Sequence, residues 1–352
     1  MQSPVKIRAG IVGVALAFFL IIQLLSQYPT FVETYYSNGL YPLLTLFISG
    51  LSNQTPVSLS EVSLWLALLV VIPWFIRRIL TKKMSVSRAL LNLTSAASIL
   101  FVTFYLFWGL NYLRLPLEIK LNLDHVALKI DAFDSTFVEI IRQANELNYS
   151  YSVKYVVEIN EMIEASYEEV MDRLQLPKVP GSKRLKTFAV NWILNKTTTS
   201  GWFSPFFHEV HYNSDLLIIE LPFVIAHEKA HQMGYTSETE ANFLAYLVCR
   251  NSPDPLIQYS GYFSAVSYFL LALKKDLDRR QFFDSRIQEG VKLDLTAVRE
   301  RWKSQRGFIS RISEKSYDLY LRANQVKDGT QSYVRVVDLI VKYYEHQSTE
   351  AK

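Results

Sequence analysis

Three long stretches almost without charge limit what this 352-residue chain can fold into. Residues 9–32 hold no Asp, Glu, Lys or Arg, and their core from Ile11 to Leu25 is built of Leu, Ile, Phe, Val and Ala. Residues 59–76 carry one acid, Glu61, and end in Pro73-Trp74-Phe75-Ile76 ahead of Arg77-Arg78. Residues 89–110 carry none and close on Phe107-Trp108-Gly109-Leu110. Each approaches the ~20 residues that a bilayer core requires, and the terminal aromatics suit the membrane–water interface. Three membrane helices are therefore expected, at about residues 9–27, 59–76 and 89–110. Gln27-Tyr28-Pro29 follows the first where a small-x-small cleavage site would stand, so it reads as a retained anchor rather than a signal peptide. Gly39–Leu51 is also apolar, but it is short and broken by Pro42, which points to an interfacial or re-entrant piece.

Charge gives the orientation. Residues 1–110 net +5 and the remainder nets −1. Lys6 and Arg8 place the N-terminus in the cytoplasm, and Arg77, Arg78, Lys82, Lys83 and Arg88 place the second loop there too. Three spans then put the rest of the chain outside the cytoplasm. The basic excess belongs to the membrane flanks, which leaves no nucleic-acid surface. The single cysteine, Cys249, excludes an intrachain disulfide and reads as a small apolar core residue.

The chemistry concentrates at Phe223–Gly234, which contains His227-Glu228-Lys229-Ala230-His231. Histidines four apart share one helix face, so both imidazoles can reach one Zn²⁺ at roughly 2.0–2.1 Å. Glu228 beside them can take a proton from an activated water. Pro222 suits the first turn of that helix, and Gly234 suits the left-handed position just past its end. A helix this apolar needs a reason to carry two histidines and a glutamate.

A catalytic zinc takes a third protein ligand. Ser237 stands where a metzincin would have its third histidine, so the ligand is sought on the following helix. Glu238 and Glu240 are the candidates, and they lie about 200° apart around a helix. Glu240 leads the apolar face and is the expected ligand. Ser237-x-x-Glu240 is also a capping box, a role that does not exclude metal binding. His208 and His211 are close enough in sequence to sit behind the metal ligands, but they read rather as surface strand residues. Tyr333 is a weaker candidate for oxyanion support.

Elsewhere Asp131–Leu147, Val153–Leu174, Leu293–Gln305 and Val334–Tyr344 read as helices, while Phe188–Trp192 and Glu209–Asn213 read as strands. Residues 255–273 are free of charge, and their Gln258, Gly261 and repeated Ser and Tyr favour a buried helix over a fourth span.

The run Leu221-Pro222-Phe223…His227-Glu228-Lys229-Ala230-His231-Gln232-Met233-Gly234…Glu238-Thr239-Glu240-Ala241-Asn242-Phe243, followed by Tyr259-Ser260-Gly261-Tyr262, resembles the bacterial membrane proteins grouped as domain of unknown function 3810. Phe107-Trp108-Gly109-Leu110-Asn111-Tyr112, Gly201-Trp202-Phe203-Ser204-Pro205-Phe206 and Ser332-Tyr333 extend the resemblance over nearly the whole chain. It implies a three-span anchor in the bacterial inner membrane and a zincin-like extracytoplasmic domain. Lys229 departs from the apolar residue usual there and must point away from a metal.

The resulting expectation is a mainly α (α+β) chain, with a membrane region over residues 1–112 and a zincin-like domain over 113–352. Zinc on His227, His231 and Glu240, with Glu228 as base, would make it a metallopeptidase. An extended peptide would pair with the Glu209–Asn213 strand by analogy. Two other readings stand beside this one: a non-catalytic receptor or scaffold with a structural or absent metal, and a zinc hydrolase of a cell-envelope substrate.

Overall fold

The computed structural model describes residues 4–148, 152–181, 184–323 and 332–350, and most of them are helical. The chain divides into two compact units. One is Met1–Leu115 with the segments Val179–Ser182 and Ser204–Glu209; the other is Pro116–Lys178, Lys183–Phe203 and Val210–Lys352.

The first unit holds three helices long and apolar enough to cross a membrane: Val5–Leu25, Leu59–Leu80 and Val86–Phe107. At 1.5 Å per residue each reaches about 30 Å. Leu16, Leu20, Leu69 and Leu100 are more than half exposed on them, as side chains facing lipid would be. The third helix stops at Phe107, where Trp108 leaves helical geometry (φ −154°) and a tight turn runs over Gly109–Leu113. A Cβ on Gly109 would stand 2.6 Å from the Phe104 ring, so this turn needs glycine. The apolar piece after Gly39 becomes the helix Tyr41–Ser52, which continues directly from the helical turns Pro29–Phe31 and Val32–Leu40. Two buried acids of this unit, Glu33 and Glu209, are met by donors. Arg114 donates to Glu33 at 3.0 and 2.9 Å, both side chains being buried. Glu209 accepts from the N–H groups of Leu59 and Ser60 at 3.0 and 3.1 Å, closing the start of the second long helix.

The second unit is built around the helix Pro255–Ala272. Its Leu256, Ile257, Tyr259, Ala265, Val266 and Phe269 are fully buried, which explains a charge-free run of this length without a membrane. Ala132–Leu147, Glu238–Asn251 and Ser332–Glu350 pack against it. Gly261 permits the closest approach, since a Cβ there would lie 2.7 Å from Cβ of Cys249. Cys249 is itself buried, and burial pushes its thiol up. The helix expected from Val153 runs over Val156–Arg173 and buries Ile159, Ile163 and Tyr167, the spacing that predicted it.

Three short strands, β1 (Leu185–Lys186), β2 (Gly201–Ser204) and β3 (Glu209–Tyr212), order as β1-β3-β2, with Leu185 of the parallel β1 opposite Val210. Two expectations are corrected here. Phe188–Trp192 is not a strand: the chain turns after β1, and Trp192 opens the helix Trp192–Thr197. Asn191 instead donates its amide to Asn213 Oδ1 at 2.9 Å, tying the turn to the residue after β3. The Glu209–Asn213 strand does form, but at the centre of the sheet. β1 and β2 occupy its two sides, so an added strand would pair at β1 or β2.

Candidate metal centre

The helix carrying the two histidines spans Leu221–Gln232. Pro222 lies in its first turn, and the Phe223 N–H donates to Ser260 Oγ at 3.0 Å. Ser260 comes from the central buried helix and satisfies a donor that no helical carbonyl can reach. At the other end Gly234 adopts φ 83°, and the Tyr235 N–H returns to the Ala230 carbonyl at 3.0 Å, the Schellman closure. Ile225, Ala226 and Ala230 are fully buried, and Tyr167 donates its hydroxyl to the Ala226 carbonyl at 2.5 Å.

His227 and His231 rise one above the other, their rings nearly perpendicular at 87° and 4.6 Å between centres. Their Nε2 atoms lie 3.1 Å apart. Nδ1 of His231 sits 2.8 Å from the Tyr235 carbonyl, so that nitrogen carries the proton and Nε2 presents its lone pair inward when the ring is neutral. Nδ1 of His227 is buried without a hydrogen-bond partner among the described residues.

The third member is Glu238, not Glu240. Glu238 opens the next helix, Glu238–Asn251. Its Oε2 lies 3.3 Å from Nε2 of His227 and its Oε1 lies 3.3 Å from Nε2 of His231. Glu240 is turned elsewhere and accepts the backbone N–H of Leu117 at 2.6 Å. The two acids sit about 200° apart on the helix, so one can face the histidines only if the other does not. Ser237 is the N-cap residue of this helix but makes no side-chain cap.

These atoms fit a tetrahedral metal. Ligands at about 2.0–2.1 Å from one ion are separated by roughly 3.3 Å; the two Nε2 atoms stand 3.1 Å apart, and each has one of the two Glu238 oxygens at 3.3 Å. Shared positive charge favours so close an approach of two imidazole nitrogens and a carboxylate. Without a metal a proton supplies it. Burial opposes charge on His231, but the adjoining Glu238 carboxylate outweighs it and pushes the imidazole up to about 9. Burial likewise works against the Glu238 anion, but the charges and hydrogen bonds of both histidines hold it well below the usual carboxylate range.

Glu228 is buried on the adjacent helix position, and its carboxylate makes no hydrogen bond or ion pair among the described residues. Burial raises its pKa, while His227 and His231 pull the other way. It is seated against β2: a Cβ on Gly201 would stand 2.6 Å from its Cγ and 2.7 Å from its Oε1. Lys229 points away from the histidines and is 1% exposed, its ammonium paired with Glu164 of the helix Val156–Arg173.

His208 and His211, expected at the surface, are both fully buried. His211 brings Nδ1 within 3.1 Å of the Trp202 carbonyl, and its ring stacks on Trp202 at 5.8 Å. Its charged form would lower the Glu228 pKa, which places it among the groups that tune that carboxylate. His208 packs beside Tyr41 in the first unit, and burial pushes it down to about 4. Tyr333 lies in the helix Ser332–Glu350, but its side chain is outside the described residues. Sequence reasoning missed Tyr317, whose hydroxyl donates to Oε1 of Glu238 from the helix Phe308–Ala323. No spacing relates the two residues.

A family model described as "Protein of unknown function (DUF3810)" matches residues 36–341. Neither the curated proteins nor the solved structures contain a match.

Proposed function

Because the chain belongs to the DUF3810 family of proteins of unknown function, membership brings no activity with it, and we propose one from the site: a membrane-anchored zinc metallopeptidase. One observation carries this reading. Two imidazole nitrogens and one carboxylate converge at 3.1–3.3 Å beside the buried Glu228. A purely structural zinc site is closed by four protein ligands, whereas only three such groups converge among the described residues.

His227, His231 and Glu238 would hold the zinc. When bound, it would supply Lewis-acid polarisation of a carbonyl and a water whose pKa falls towards ~7. Glu228 is the base: its carboxylate takes the proton of the attacking water and hands it to the leaving amine. Its raised pKa suits both halves of that task, since a base is most effective when its pKa lies near the working pH. Gly201 lets β2 lie against the Glu228 carboxylate, and the outer edge of β2 offers main-chain groups to an extended peptide. Positive charge at Lys6, Arg8 and Arg77–Arg88 favours an inner-membrane topology with residues after the third span outside the cytoplasm.

Glu228→Gln tests the assignment of the base. The variant keeps size and hydrogen bonding but not basicity. In the full chain purified in detergent it should retain its zinc while casein digestion or self-cleavage falls about 10²–10⁴-fold. Unchanged turnover would remove Glu228 from the mechanism.

A further inference from the structure

The helix Phe308–Ala323 is held lightly. Phe308 is 72% exposed, Ile312 49% and Leu319 68%, and Ser310, buried in the first turn, accepts the Gly307 N–H at 2.9 Å. From this helix Tyr317, itself 42% exposed, sends its hydroxyl to Oε1 of Glu238. That oxygen belongs to the carboxylate shared by His227 and His231.

A carboxylate rotates readily about its last bond, and its affinity for a metal depends on how firmly the plane is held. In metal sites the groups that hydrogen-bond the ligands are worth about 10–100-fold in metal affinity. Glu238 is the first residue of its helix and has few neighbours of its own turn to fix it. A phenol, neutral at physiological pH and a single donor with two rotatable bonds, is suited to fixing Oε1, which faces His231, and with it the plane that turns Oε2 to His227.

We propose that Tyr317 is a positioning residue of the metal centre, holding Glu238 by one oxygen so that its carboxylate is preset for the ion. This rests on the metal reading above and adds to it a residue from a separate, lightly packed helix. By linkage, an ion that favours the oriented Glu238 also favours docking of the helix through Tyr317. Loading the metal should therefore order Phe308–Ala323, although no residue of that helix is itself a ligand.

The test is a zinc competition titration on the full chain in detergent, comparing wild type, Tyr317→Phe and Leu319→Ala. Leu319→Ala alters an exposed residue of the same helix and controls for disturbance of the helix. Tyr317→Phe should bind zinc about 10-fold more weakly and shift the visible absorption of the cobalt-substituted protein. Its metal-free melting temperature should stay unchanged, and Leu319→Ala should match wild type in every measurement. Equal zinc affinity and an identical cobalt spectrum for Tyr317→Phe would overturn the proposal while leaving the metal site intact. Equal weakening by Leu319→Ala would overturn it in favour of a general packing effect. A wild type that takes up no zinc would contradict the metal reading itself, and this inference with it.

Discussion

Gly201 backs directly onto Glu228: a methyl group at its Cα would stand 2.6 Å from Cγ and 2.7 Å from Oε1 of the glutamate, and 2.8 Å from Val224. No real Cβ tolerates such contacts, so any side chain at 201 displaces the carboxylate. Gly201→Ala should therefore act as a catalytic lesion without touching the metal ligands. We expect zinc content near that of wild type and turnover lowered on the order of 10²-fold, the loss typical of a displacement of about 1 Å. Metal analysis beside a casein assay checks both halves. Full activity in Gly201→Ala would mean that Glu228 is not held by β2.

Lys229 stands inside the histidine motif yet faces Glu164, with 1% of its surface exposed. Removing one partner of a buried pair takes away part of what compensates the other charge, whereas replacing the pair by apolar groups is often neutral or stabilising. Glu164→Ala should lower stability by less than the ~3 kcal/mol of an uncompensated buried charge, since Glu164 keeps 19% of its side-chain surface in solvent. The double variant Lys229→Met with Glu164→Ala should recover most of that loss. Thermal melts in detergent decide it. A double variant no better than Glu164→Ala would mean that the lysine stem, not its charge, matters there.

Much of this was legible in the residues, where local chemistry decides the outcome. Pro222 and Gly234 bound the histidine helix because their backbone preferences act without tertiary help. The three apolar helices follow from length and composition alone. Glu238 was not distinguishable from Glu240 in the same way. Both open one helix, and the choice is made by the Leu117 N–H, 123 positions earlier, which takes Glu240, and by Tyr317, 79 positions later, which takes Glu238. His208 lies in the turn before β3, at φ 50°, and the burial of His211 escaped for a related reason. A four-residue strand at the middle of a sheet is covered on both faces, and alternation over so few positions does not reveal that. Phe188–Trp192 has strand-like residues, but its hydrogen bonds run through Asn191 to Asn213, a tie between distant positions that no local pattern encodes.

The central claim is that His227, His231 and Glu238 together hold one zinc ion. It is tested most directly by metal analysis of the full chain, purified in detergent and dialysed against metal-free buffer, in three forms. Wild type should carry about one zinc per chain, and Glu240→Ala the same. The latter should lose only stability, about 1 kcal/mol for the hydrogen bond to Leu117. Glu238→Ala should carry almost none. A wild type without metal, or a Glu238→Ala variant that keeps its zinc while Glu240→Ala loses it, would contradict the account.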